Sequence, residues 1–325
     1  MFIRLFKSNY TTLIGILFFL SILLHVDVFN YSLIAGFTKP VTPLYYFIDN
    51  WFALKGFNLI IAFILSFSQV ILINKIASDF SLLPQKNYLT ALVFLLLNCF
   101  YPSFFFINPV SVTNLFLLII LYQLFMIYET PEDYEKIFGI GFLIAIASML
   151  YFPSIYFFLV VWIGFLIYRL FDWRAWIISL AGVATPYIFL FVYYFWFDEL
   201  KGKLLNYQEY FIQWNSINFP HDIFLRIVLI LFGGLTIVSL IRYNSTASDK
   251  VIRLRGINSI LIWLFVLSLF SFFIFGIQKD LQIVFLFVPA SVFIANFLYV
   301  FKKQFISDII LILMFIGVLI SKFYF

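Results

Sequence analysis

Long apolar stretches separated by short polar breaks run the length of the chain. Eleven of them read as helices, near residues 10–26, 57–73, 88–105, 110–128, 137–152, 154–171, 175–197, 222–242, 257–276, 282–300 and 305–321. Several approach the roughly 20 apolar residues that cross a bilayer. The pattern is clearest in two successive hairpins over residues 88–170. Their upper turns, YPSFFFINPVS and YFPS, carry no charge, whereas the lower ends carry ETPEDYEK and RLFDWR. Uncharged turns alternating with charged loops suit the two faces of a membrane. The expectation is an all-α, polytopic transmembrane helical bundle of about eleven spans (roughly ten to twelve). Residues 1–325 then form a single integral membrane domain, with no separate soluble domain. A transmembrane barrel would need segments of about ten residues alternating polar with apolar, which are absent.

Charge orients the bundle. With the N-terminus inside, the inside segments hold Arg4, Lys7, Lys75, Lys86, Lys136, Arg169, Arg174, Arg242, Lys250, Arg253, Arg255, Lys302 and Lys303. The outside segments hold Lys39, Lys55, Lys201, Lys203, Lys279 and Lys322, so the tally is thirteen against six. That bias predicts an inside N-terminus.

Composition agrees with this class. The chain is 65 % hydrophobic and 11 % charged, and Phe fills 48 of its 325 positions. The net charge of +5 is spread over short loops, with no basic domain to grip nucleic acid. One cysteine, Cys99, excludes an internal disulfide and a Cys-based metal cluster. Two histidines, His25 and His221, exclude a multi-histidine iron site. No Gly-rich phosphate loop, GxSxG, HExxH or CxxC occurs. No resident cofactor is therefore expected, and the sequence leaves a divalent-metal requirement open.

Polar groups at membrane depth are the candidates for function. His25 and Asp27 close the first span at its outer end. Arg226 lies one turn into the eighth span, and Lys279 in the outer turn before the tenth. Residues 27–56 place Asp49 among the aromatics Tyr45, Tyr46 and Trp51. Asn98, Asn108, Asn114 and Gln123 mark the first hairpin, where amides can staple helices.

The order of segments resembles a known superfamily. A first span ends in an outward Asp, and an aromatic outer loop follows. Then come LTALVFLLLNCFYPSFFFINPVSVTNLFLLIILYQLF, FGIGFLIAIASMLYFPSIYFFLVVWIGFLIYRLF and a span with GVATPYIFLFVYYFW. Over about residues 1–200 this resembles the membrane half of the polyprenyl-phosphate-dependent glycosyltransferases of the GT-C superfold. The resemblance implies Asp27 as the acidic catalytic residue and a polyprenyl-phosphate-linked sugar as substrate. The sequence departs from that superfold in having Val28, not a second acid, after Asp27. The stretch FDWRAWIISLAGVATPYIFLFVYYFWFDEL also resembles an uncharacterised family of bacterial multi-pass inner-membrane proteins, which implies location and fold but no activity.

In the enzyme reading Asp27 is the base and Arg226 holds the donor phosphate, with Lys279 in reserve. His25, Asp49, Tyr45 and Trp51 would bind substrate, the rings stacking on sugar or isoprenoid. The alternatives are a membrane scaffold or accessory subunit of an envelope assembly or export machine, and a transporter of lipids or polysaccharide units. Membrane lipids are partners in every case, and envelope proteins in the scaffold case.

Overall fold

The computed structural model describes residues 2–8, 10–25, 42, 44, 55–100, 106–199, 202, 223–245, 251–274, 279–301 and 304–323. For residues 2, 55–57, 223–229, 273–274, 279–280 and 322–323 this description covers the backbone alone. The described residues form helices and no strand. In chain order these are α1 (Phe2–Lys7), α2 (Thr12–His25), α3 (Lys55–Asp79), α4 (Leu89–Cys99), α5 (Pro109–Ile127), α6 (Tyr134–Leu150), α7 (Phe157–Ile167), α8 (Trp173–Trp196), α9 (Ile223–Ser245), α10 (Ile252–Ile274), α11 (Lys279–Val300) and α12 (Gln304–Phe323). A 3₁₀ turn, Phe152–Tyr156, leads into α7.

Each of the eleven apolar stretches has become a helix. By length and composition, six helical stretches suit a membrane crossing: Asn58–Asp79, Pro109–Ile127, Trp173–Trp196, Ile252–Phe272, Leu281–Val300 and Gln304–Ser321. Three boundaries move. The loop expected at RYNSTASDKVIRLRG shrinks, because α9 continues to Ser245 and α10 begins at Ile252. Lys279 is no turn residue but opens α11. The third stretch stops as α4 at Cys99. The short α1 was not foreseen; it buries Ile3 and Phe6 while Arg4 and Leu5 face outward.

The helices of the first hairpin do not pack as a pair. The apolar pattern gave each an interior face, but it could not name the partner. Helix α4, buried along its whole length, packs on α3 and α11 rather than on α5. Helix α11 is likewise enclosed, against α4, α5, α9 and α10. In the second hairpin, α6 makes its main contact with α8 and little with α7. Two glycines explain that choice. A Cβ on Gly141 would lie 2.2 Å from the Ser179 carbonyl oxygen, and one on Gly182 would lie 2.4 Å from that of Phe138. The two backbones touch there. Between helices surrounded by lipid, close approach of small residues replaces the hydrophobic effect as the source of attraction.

The charged helix ends meet one another. Tyr88 N–H donates to the Phe6 carbonyl (3.0 Å), which joins α1 to the start of α4. Lys7 Nζ donates to the Tyr299 carbonyl at the end of α11 (3.0 Å), and Ile3 N–H to Asp308 on α12 (2.8 Å). Tyr122 of α5 donates to Asp79 at the end of α3 (3.2 Å). Glu129, just past α5, forms an ion pair with Arg253 of α10. The opposite ends meet through uncharged groups. Asn58 accepts from Ile107 N–H (2.9 Å), and Tyr156 donates to Ser268 (3.2 Å).

Candidate functional site

Polar residues on α3 recur at helical spacing: Asn58, Ser66 and Gln69, with Ala62 between them. They form one stripe along the helix, and the stripe faces α5. The start of α5 is built to receive it. Asn108 caps the helix: its Oδ1 accepts from Ser111 N–H (2.6 Å), while Asn108 N–H donates to Ser111 Oγ (3.4 Å). Pro109 fits the first turn because its missing N–H is not needed there. Gln69 Nε2 then donates to the Ser111 carbonyl (2.7 Å), and Asn114 Nδ2 donates to Gln69 Oε1 (2.9 Å).

Beside this chain lies a cavity of about 10 Å³ lined by Ser66, Gln69, Asn98, Ser111 and apolar neighbours, including Val284 of α11. That volume matches about one water molecule. Asn98 and Asn114 are buried, and the Oδ1 of each has no hydrogen-bond partner in the structure. All these groups are amides or hydroxyls. They exchange hydrogen bonds, and the set holds no base that could activate a hydroxyl as a nucleophile. The arrangement staples α3 to α5. Asn108, which the sequence offered as a helix staple, is used as a helix cap.

The residues nominated from sequence fare differently. His25 closes α2, buried, with Nδ1 2.6 Å from the Ser21 carbonyl oxygen. A carbonyl can only accept, so Nδ1 carries the hydrogen. The ring meets Phe63 edge-on at 5.2 Å. Arg226 lies in the first turn of α9, and Lys279 begins α11. These two helices pack side by side. They run in parallel, because Arg242 near the end of α9 stacks over Phe297 and Phe301 near the end of α11. The positions of Arg226 and Lys279 therefore share with His25 the end of the bundle opposite Asp79, Glu129 and Asp172. Asp27, Asp49, Tyr45 and Trp51 lie outside the described residues.

At the charged end, electrostatics are local. The Lys136 ammonium, 2.8 Å from Asp133, and the Lys136 backbone N–H hold the Asp133 carboxyl below its usual range. Tyr134 donates to Asp172 (2.6 Å), and that bond, with the Arg174 N–H, lowers the Asp172 carboxyl. Burial pushes the Lys7 ammonium down, against the pull of Asp308. Among the described residues, no three His, Cys, Asp or Glu side chains gather as a metal site would require.

These helices are compatible with a multi-pass membrane protein. No family model, no curated protein and no solved structure matches the chain.

Proposed function

We propose that the chain crosses a bacterial cytoplasmic membrane eleven times, with its charged helix ends inside, and transfers a sugar from a polyprenyl-phosphate carrier at the outer end. The observation that carries this reading is the parallel packing of α9 and α11, which starts Arg226 and Lys279 at one end of the bundle. Two cations suit a departing phosphate, and Arg can hold it through two parallel hydrogen bonds. In the step, the acceptor hydroxyl oxygen bonds to the anomeric carbon and its proton passes to the Asp27 carboxylate. The bond from the anomeric carbon to the phosphate oxygen breaks, and the electron pair leaves with the phosphate. Asp49, Tyr45 and Trp51 bind the sugar and isoprenoid, and His25, at the end of α2, joins them in holding the substrate. Proton transfer to a placed base is typically worth about 10²- to 10⁴-fold in rate, so Asp27→Asn should fall by that order. Glycolipid profiling of a strain carrying Asp27→Asn in place of the wild type is the test. Full rescue would overturn the enzyme reading.

One observation favours a second reading, a membrane scaffold. The buried polar core of α3, α4 and α5 contains only amides and hydroxyls, which join helices without chemistry. Under that reading Asp27→Asn rescues fully, whereas Gln69→Leu does not.

A further inference from the structure

Helix α2 packs against α4 and meets α3 through Phe18, whose ring touches Phe63 and Phe67. The gap between α2 and α3 is a groove of about 240 Å³. Its floor and walls are apolar, with Leu17 and Val70 buried and Phe67 between them. Ile14 and Ile71, at its mouth, are among the exposed large hydrophobics. At one end the groove turns polar, where Asn74 and Lys75 of α3 stand beside Tyr88, the residue that precedes α4. That end belongs to the charged end of the bundle, one turn before Asp79.

We infer that this groove binds an anionic glycerophospholipid of the phosphatidylglycerol type, with its phosphate at Lys75 and an acyl chain along Val70 and Phe67. Three features select that occupant. Exposed isoleucines at the mouth face hydrocarbon, so the ligand enters from the bilayer rather than from water. From Phe67 to Lys75 the helix rises about 12 Å, at about 1.5 Å per residue, which separates a headgroup from the upper part of its chain. The charges are complementary. Lys75 lies with its ammonium 5.1 Å from the Tyr122 ring centre, and Lys86 adds a second cation in the adjoining loop. Asp79, the acid of the same helix, accepts from Tyr122. The Asn74 Oδ1 is buried without a hydrogen-bond partner and can accept from a headgroup hydroxyl, which phosphatidylglycerol has and phosphatidylcholine lacks.

The test uses the full chain reconstituted in vesicles of equal phosphatidylglycerol and phosphatidylcholine. Lipid retained after gentle detergent release is counted by native mass spectrometry. A lysine near an anionic headgroup should favour phosphatidylglycerol by roughly fivefold or more. Lys75→Gln should abolish the preference. Ile71→Trp, at the groove mouth, should remove the retained lipid with the thermal transition unchanged. Equal retention of the two lipids by the wild type would overturn the inference, as would an undiminished preference in Lys75→Gln. Lipid still held by folded Ile71→Trp would move the site out of this groove.

Discussion

The two ends of the bundle are held by different kinds of polar group. At one end the groups are charged and partly in water: Glu129 with Arg253, and Asp133 with Lys136. Exposed pairs of this kind contribute about 0–1 kcal/mol each, so they do little to hold the helices. What they supply is an address, since charges that remain hydrated fix which ends stay out of the lipid. At the other end the groups are neutral and buried: Gln69, Asn108, Ser111 and Asn114. Removing one of these strands its buried partner. The end held by neutral, buried groups should therefore carry more of the stability.

The largest effect should come from the seam that links the ends, where α6 and α8 touch. Gly141→Leu would drive a side chain into the Ser179 carbonyl, and overpacking of this kind typically costs about 1–3 kcal/mol, or more where backbone must move. Loss of the monodisperse peak in detergent and a large fall in thermal midpoint are the expected readouts. An unchanged midpoint would mean that the helices do not meet there.

A smaller effect separates the two ends directly. Gln69→Leu leaves the Asn114 amide and the Ser111 carbonyl without their partner, at a cost of about 1–3 kcal/mol. Glu129→Gln should cost less than about 1 kcal/mol. The Gln69→Leu/Asn114→Leu double variant should lose less than the sum of its single variants, because both break one bond. Equal midpoints for Gln69→Leu and Glu129→Gln would erase the contrast between the ends.

The smallest effect is on pH. The Asp172 carboxyl is held below its ordinary value of 3.8, chiefly by Tyr134. A depressed carboxyl gives stability that is present above the unfolded value and lost as pH falls through the folded one. Wild-type protein should lose a little thermal stability below about pH 4, and Asp172→Asn should lose less over the same range. A steeper acid loss in Asp172→Asn would reverse the sign.

Much of the fold was legible because helices in lipid announce themselves by long apolar runs. The two glycines that choose partners were less so, since Gly141 and Gly182 lie forty-one residues apart and only packing brings them together. The Asn58, Ser66 and Gln69 stripe was present as a spacing on one face, but none of the three stands out as a charge would. The amides Asn108 and Asn114 were noticed, and their partners were not. For the outer site, sequence named seven residues. The structure puts His25 and the positions of Arg226 and Lys279 at one end, while Asp27, Asp49, Tyr45 and Trp51 lie outside the described residues.

The sidedness of the two ends is open to one direct measurement. Ser245 closes α9 at the charged end, and Gly202 lies beyond α8 at the other. Single cysteines replace each in a Cys99→Ser background, and an impermeant maleimide is added to intact cells. The predicted result is labelling of Gly202→Cys before permeabilisation and of Ser245→Cys only afterwards. Ready labelling of Ser245→Cys in intact cells would contradict the orientation, and with it an outward-facing site at Asp27 and Arg226.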